Sequence, residues 1–404
     1  MPKQKGKKAF AIQMESPEMR SIAESIFQRY GNICDSCLGR QFGQVSTGMT
    51  NTERGSMIRF MLKHKQTKSR CPICNGLMQT GLAMWADRAS KKLKGIEYKS
   101  FVVGSKLSKD LVANEESIWE HCGISNCEPI KTELNRELGK LLWKKTRKEV
   151  DELKPDILVL FDFENKKTVL QINPLFIYGE YKKLVRGIPQ TKWDMYKVSV
   201  EDIISKPVMK ATKGKAHAMH GAGREDIDAL CLDWRPFVLE ISEPRKRRIN
   251  LKTMQAEINK SGKANVRGLR YSDKKEVAGV KAARHDKTYR LLVQLQKPID
   301  ENKLRELKTI IGTIRQKTPV RVIHRRADRI RNRKVFNIKW KKVTNKKLEF
   351  EIKGEAGLYV KELVTGDSNR TSPNISQILG NPAKVIELDV IRIHRDNKTL
   401  KKSR

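Results

Sequence analysis

Two cysteine pairs do most to limit what this chain can fold into. Cys34-Asp35-Ser36-Cys37 is followed by Leu38-Gly39-Arg40-Gln41-Phe42-Gly43, and Cys71-Pro72-Ile73-Cys74 by Asn75-Gly76. A CxxC turn lets both thiolates face one ion, and four thiolates complete a tetrahedron with no open position for catalysis. The segment between the pairs is longer than in compact zinc ribbons. Within it, residues 51 to 66 carry Met57, Ile58, Phe60, Met61 and Leu62 and read as a helix. Two disulfides or free thiols are the alternatives. The basic N-terminus MPKQKGKKAF lacks the apolar core of a signal peptide, which favours a reducing compartment and structural zinc on Cys34, Cys37, Cys71 and Cys74. Four thiolates suffice, so His64 is expected to face solvent. Cys122 and Cys127 do not have knuckle spacing and read as free thiols, and Cys231 as a small buried residue.

Charge narrows the partner. Lys and Arg number 84 against 46 Asp and Glu, a formal net charge of +38 over 404 residues. Such an excess points to a polyanion, with counterion release contributing much of the affinity. Aromatics are only 6%, which argues against extended base-stacking platforms. No run reaches the roughly 18 to 20 apolar residues that span a bilayer, so a cytoplasmic protein with no membrane partner is expected. No Walker A loop, dinucleotide glycine motif or methyl-donor turn is evident. The length suits two or three domains.

Along the chain, residues 1 to 10 read as a disordered basic tail. Residues 17 to 30 place Met19, Ile22, Ala23, Ile26 and Phe27 at helical spacing behind Pro17. Residues 129 to 150 read as a helix and 156 to 163 and 167 to 174 as neighbouring strands. Residues 175 to 193 mix bases with aromatics, as an RNA-contacting surface would, with Lys182, Lys183 and Arg186 on phosphate; a solvated face over core aromatics is the alternative. From about residue 201 the chain is strand-rich. Strands are expected at 237 to 241, 287 to 295, 319 to 324 and 385 to 393, a hairpin at 336 to 340 with 348 to 352, and a helix at 302 to 312. Arg325, Arg326, Arg329, Arg331, Arg333 and Lys334 crowd one short stretch suited to RNA backbone contact.

The small-residue turn Gly221-Ala222-Gly223 delivers Arg224, Glu225, Asp226 and Asp228 ahead of the apolar run Phe237-Val238-Leu239-Glu240-Ile241. Taken alone, acids in such turns are usually caps or turn formers. Gly223-Arg224-Glu225-Asp226, however, resembles the Gly-Arg-X-Asp motif of pseudouridine synthases. The longer GAGREDIDA…RPFVLEISEPRKR resembles the archaeal/eukaryotic-type tRNA pseudouridine synthases that modify uridine 54 and/or 55 of the T-arm. Lys287-Thr288-Tyr289-Arg290 is similar to that family's tyrosine motif, and Ala356-Gly357-Leu358-Tyr359-Val360-Lys361-Glu362-Leu363 to its third motif. FIYGEYKKLVRGIPQTKW and RVIHRRADRIRNRKV also look like it, so the likeness covers essentially the whole chain.

The resemblance implies an α+β protein. A mixed or antiparallel-sheet catalytic domain at 201–404 would follow a zinc-containing module at 1–80 and a THUMP-type α/β RNA-binding region at 81–200. It implies an isomerase in which Asp226 is the carboxylate nucleophile acting on a flipped-out nucleotide. Lys361, with Arg224 second, would keep that aspartate ionised, although Arg224 could instead hold the extruded nucleotide. Tyr289 would stack on the uracil and take part in moving the C5 proton. Tyr359 and the basic residues named above would bind substrate. Asp228 is the alternative carboxylate, more suited to a structural hydrogen bond. The resemblance implies no cofactor for catalysis, structural zinc, tRNA as partner, no obligate protein partner and a monomer. A non-catalytic tRNA-binding or chaperone protein would use the same basic surface. A tRNA thiolase or methyltransferase is opposed by the missing phosphate-loop and methyl-donor motifs.

Overall fold

Of the 404 residues, the computed structural model describes 2–65 and 69–395. They fall into two units, Met1–Asn173 and Pro174–Arg404.

The first unit opens with helices. Pro17–Tyr30 starts where expected: Ser16 caps it by accepting from the Met19 amide at 3.2 Å, and Ala23, Ile26 and Phe27 face inward. The expected disordered tail is instead a helix, Pro2–Met14. Phe10 and Met14, four residues apart, are 0% and 3% exposed in the core, an apolar pair that the basic composition hid. Asn51–Met61 is a helix opened by a Thr50–Glu53 capping box. Ile130–Thr146 buries the row Leu134, Leu138 and Leu142 but leaves Trp143 outside. Its sheet contains β1 (Ser100–Lys106), β2 (Glu149–Val150), β3 (Ile157–Asp162) and β4 (Lys167–Ile172) in the order β2-β1-β3-β4. β1 runs parallel to β2 and β3, and β3 and β4, the neighbouring strands expected from the sequence, pair antiparallel.

The second unit holds a mixed sheet of ten strands: β5 (Leu175–Lys183), β6 (Ala216–Gly221), β7 (Leu230–Ser242), β8 (Ala264–Ser272), β9 (Asp286–Leu295), β10 (Gly312–Lys317), β11 (Ile330–Thr344), β12 (Lys347–Gly354), β13 (Thr371–Ser372) and β14 (Ala383–His394). The order is β13-β10-β11-β12-β9-β14-β7-β5-β8, with β6 also on β7. Among these pairings, only β14 with β7 is parallel. Helices Val200–Thr212 and Leu251–Asn259 cover the β5–β7–β8 end, sharing one apolar cluster with it. Helix Val360–Thr365 and the 3-10 turn Arg305–Ile310 share another with β9, β11 and β12.

Four differences from the sequence reading have physical causes. β5 alternates buried and half-buried residues and pairs with both β7 and β8, so FIYGEYKK belongs to the large sheet and not to the accessory region, which had been expected to run to about residue 200. Residues 319 to 324 form no strand. After Pro319 the chain coils into the 3-10 turn Val320–Arg325, whose first amide is held by Asp367 Oδ2 at 3.1 Å. The helix expected at 302 to 312 divides into Glu301–Leu304 and the 3-10 turn Arg305–Ile310. β7 runs through Pro236 and does not start after it. Its missing amide is tolerated because β6 pairs with 237–242 and β14 with 230–231, leaving 232–236 unpaired on that side.

The expected hairpin is present as β11 and β12, with Trp340 opposite Phe350. Phe350 is fully buried in the cluster below. Phe350→Ala is expected to cost about 3–5 kcal/mol, read as a lower denaturant midpoint of the full chain.

Candidate active site

The gap beside 232–236 is where the sheet opens. β6 ends at Gly221, opposite Phe237, and residues 222 to 229 run back along β7 before Leu230 pairs with Asp389 of β14. The loop is fastened at its entry: the Ala222 amide donates to Pro236 O at 2.9 Å. Gly223 takes φ +79, and a Cβ there would stand 3.1 Å from Arg235 Nη1. Below the loop, Glu225 is 4% exposed; Arg235 Nε lies 3.1 Å from its carboxylate and Tyr181 Oη donates to it at 2.9 Å. Gln190 Nε2 donates to Tyr181 Oη at 2.7 Å and to Gly223 O at 2.9 Å. Lys183, fully buried, donates to the carbonyls of Asp226 at 3.1 Å and Ile227 at 2.9 Å. Thus the acid of the turn that is buried is Glu225, and it supports the two that are not.

Above that support a cavity of about 580 Å³ opens, lined by Asp226, Asp228, Tyr289, Arg321, Tyr359 and Lys361 among others. Asp226 is held between two cations. Lys361 Nζ lies 3.3 Å from Oδ2 and Arg321 Nη1 lies 3.3 Å from Oδ1. Lys361 also bridges Asp228 at 2.8 Å, and Arg321 Nε donates to the buried Glu362 at 2.7 Å. Burial acts to raise the Asp228 carboxyl, but the Lys361 hydrogen bond and charge outweigh it and hold the group below its usual range. Lys361 reaches the acids from the first turn of helix Val360–Thr365, entered through Gly357 at φ +89. Tyr289, on β9, is 9% exposed, and burial pushes its phenol up to about 12.

The first unit carries a separate candidate metal centre. Cys34, Cys37, Cys71 and Cys74 are all buried and their sulfurs lie within 4.8 Å of one another. A tetrahedron with metal–sulfur bonds of about 2.3 Å has edges of about 3.8 Å. Cys34 Sγ and Cys74 Sγ are 3.8 Å apart, so the cluster fits such an ion. Arg40, fully buried, donates to Cys37 Sγ at 3.4 Å and lies 3.4 Å from Glu133 and 3.7 Å from Glu115. It supplies positive charge where four thiolates would leave a surplus of negative charge. Cys122 and Cys127 are free thiols, both near Gln41 Oε1, and His64 is exposed with its ring stacked on Phe27. No helix among the described residues is long and apolar enough to cross a membrane.

Residues 176–394 match the Pus10 C-terminal family, and residues 85–162 match the archaeal Pus10 THUMP domain. The chain belongs to the Pus10 family.

Its similarity to curated Pus10 proteins extends over both units. It is 38% identical to the tRNA pseudouridine synthase Pus10 of Methanothrix thermoacetophila, over 94% of this chain and 97% of that protein. Against the Pus10 of Pyrococcus furiosus the identity is 38%, covering 90% and 95%, and against that of Methanothermobacter marburgensis 41%, covering 89% and 95%. Among solved structures, a Cbf5-Nop10-Gar1 complex aligns with a TM-score of 0.32 at 18% identity, covering 55% of this chain and 51% of that one. A structure described as a pseudouridylate synthase aligns at 0.22 and 15% identity, covering 56% and 69%.

Of the residues singled out from this Pus10 sequence, Asp226, Tyr289, Tyr359, Lys361 and Arg326 meet at the cavity. Arg326 Nη1 donates to Tyr359 Oη at 3.0 Å. Arg224 also lines it, exposed and in no ion pair among the described residues; the second cation on Asp226 is Arg321. Three expected RNA contacts are engaged with protein. Lys183 is the buried clamp just described. Arg186 holds the carbonyls of Asp228 and Leu388 and the carboxylates of Glu387 and Asp389. Lys182 lies 4.8 Å over the Trp234 ring, away from the cavity lining. Arg329, Arg331 and Arg333 lie at and along β11, where Arg331 donates to Thr318 Oγ1 at 2.9 Å and Arg333 approaches Glu355 at 3.7 Å. The Arg325 side chain lies outside the described residues. Sequence reasoning missed Arg321, Arg235 and Lys287, all of which line the cavity. Lys287 had a signal: it stands two residues before Tyr289 on one strand, hence on the same face.

Proposed function

We propose that this chain is a tRNA pseudouridine synthase that isomerises uridine in the T-arm, at position 55 with 54 as a second target. Asp226 is the carboxylate nucleophile on a flipped-out nucleotide. The observation that carries this reading is the aspartate of the Gly-Arg-Glu-Asp turn, held between Lys361 and Arg321 at a cavity that also presents Tyr289, in a Pus10 chain. Two cations favour the ionised, nucleophilic form of a carboxylate. A phenol raised to about 12 keeps its proton at neutral pH, which suits Tyr289 to stacking and to donating a hydrogen bond. The target base must leave its stack to enter such a cavity. Arg326 and Tyr359 at the cavity, with Arg329, Arg331 and Arg333 nearby along the chain, serve the RNA backbone, and the charge of +38 suits a polyanion.

Catalysis uses no cofactor. The four cysteines hold a structural zinc ion, and residues 1–80 and 81–173 act as zinc module and RNA-binding region ahead of the catalytic part. The protein works as a cytoplasmic monomer with tRNA as its partner. The test is pseudouridine mapping of an unmodified tRNA transcript incubated with the protein and no added metal, nucleotide or methyl donor. Pseudouridine in the T-arm is the expected result. Binding without any change in the RNA would leave a non-catalytic tRNA-binding protein.

A further inference from the structure

We propose that Lys287, with the buried Arg235 charge behind it, forms a cationic wall of the active-site cavity that receives the carbonyl edge of the flipped uracil and holds the charge the base carries once N1–C1′ breaks. This rests on the reading of the chain as a pseudouridine synthase.

Both side chains line the cavity, and both converge on Gly223, the first residue of the Gly-Arg-Glu-Asp turn. A Cβ at Gly223 would stand 3.1 Å from Arg235 Nη1 and 3.9 Å from Lys287 Nζ. Of the other cations at the cavity, Lys361 is neutralised by Asp226 and Asp228 and Arg321 by Asp226 and Glu362, Arg326 donates to Tyr359 Oη, and Arg224 is exposed to solvent. Lys287 is not neutralised. Its ammonium donates to His285 O at 2.6 Å, and no carboxylate lies within 4.0 Å of it among the described residues. Arg235 is fully buried; Nε faces Glu225 and Nη1 donates to Ala222 O at 3.0 Å, but Nη2 has no hydrogen-bond partner. Arg235 is closed off from solvent and acts on the cavity through its charge, while the half-buried Lys287 is the cation a ligand carbonyl can reach. Lys287 and Tyr289 project from the same face of β9, so a base stacked on the ring has the ammonium on that same side.

The chemistry calls for such a wall. When N1–C1′ breaks, both electrons stay with the base, and either C1′ bonds to the Asp226 carboxylate, a bond that breaks when C5 attacks C1′, or C2′ gives its proton to a base to form a C1′=C2′ double bond and regains a proton when C5 bonds to C1′. The uracilate charge spreads over N1, O2 and O4. After the base turns, C5 supplies the electron pair of the new C5–C1′ bond, the C5 hydrogen leaves as a proton and N1 takes one up, with no net redox change. Fixed cations facing O2 or O4 stabilise that charge where it develops. Facing O4, they also discriminate, because cytosine would turn an amino group, a donor, toward them.

Burial, and then the Arg235 charge, pull the Lys287 ammonium down to about 8. The other groups acting on it are Cys231 on β7, whose thiol burial pushes up and keeps neutral, and Asp286 on β9. Lys287 is therefore charged below about pH 8 in the free enzyme, and kcat/KM reports that state.

The experiment is kcat/KM for pseudouridine formation on a tRNA transcript between about pH 6.5 and 9.5, with wild type, Lys287→Arg and Lys287→Met. Wild type is expected to fall about tenfold per pH unit above about 8. Lys287→Arg, permanently charged, should keep at least about a tenth of the activity at pH 7 and lack that fall. Lys287→Met should lose about 10²-fold in kcat, with KM and tRNA affinity within about threefold, which also shows that it folds. Ionisation of the RNA acts on all three alike. A Lys287→Met kcat within about threefold of wild type, a fall centred near pH 8 that Lys287→Arg shares with wild type, or a rate that rises through pH 8 as for a general base would each overturn the inference. Wild type forming no pseudouridine at any pH would instead overturn the proposed function.

Discussion

Asp226→Asn is expected to slow pseudouridine formation by at least about 10⁴-fold while tRNA affinity stays within about threefold, the pattern of a lost nucleophile in an intact site. The substitution is nearly isosteric and removes one negative charge. It leaves neither neighbouring cation without an acid, because Lys361 keeps Asp228 at 2.8 Å and Arg321 keeps Glu362 at 2.7 Å. The Asp226 side chain is 34% exposed, so the two lost ion pairs cost about 1 kcal/mol or less. Removing an acid from a basic face does not weaken attraction for a polyanion. Single-turnover pseudouridine assays and filter binding on the same transcript separate the two effects. A rate within about tenfold of wild type would remove Asp226 from the role of nucleophile.

The second large effect concerns the four-cysteine cluster. Cys71→Ser is expected to abolish stoichiometric zinc binding and to lower the melting temperature of the full chain by about 10 °C or more. All four sulfurs are buried, and Cys34 and Cys37 bracket the start of helix Asp35–Arg40, where Cys34 Sγ accepts from the Cys37 amide at 3.5 Å. The ligands come from pairs far apart in sequence, so losing one thiolate removes a cross-link and not merely a local contact. It also leaves Arg40, fully buried with Nε and Nη2 unmatched, facing less negative charge than the site is built to hold. Metal content by elemental analysis should be near one zinc per wild-type chain and near zero in the variant. Hydrogen exchange should show the first loss of protection around residues 34 to 74. Full zinc content in Cys71→Ser would exclude the four-cysteine site.

How much of this was legible in the sequence depended on whether the information was local. The CxxC pairs, the Ser16–Pro17 helix start, the β11–β12 hairpin and the aspartate turn are each written within a few neighbouring residues, where spacing and caps act directly. The four catalytic candidates Asp226, Tyr289, Lys361 and Arg224 were legible through motifs, and the fold brings all of them to one cavity, although Arg321 and not Arg224 is the second cation on Asp226.

Composition could say that the chain is strongly basic but not which bases face RNA. Lys182 and Lys183 are adjacent and chemically identical, yet period-two alternation on β5 turns one toward Trp234 and the other inward to hold the Asp226 and Ile227 carbonyls. Arg321 joins the site from a 3-10 turn 95 residues beyond Asp226, in a stretch whose β-branched residues suggested a strand. The proline in β7 reads as a strand start until the unpaired 232–236 edge is seen. By itself, then, the sequence determined the local elements, the polyanionic preference and the motif residues. Only tertiary structure decided which charges are buried, which cations share Asp226 and where the sheet opens to make the cavity, because those depend on which strands become neighbours and nothing within a short window encodes that pairing.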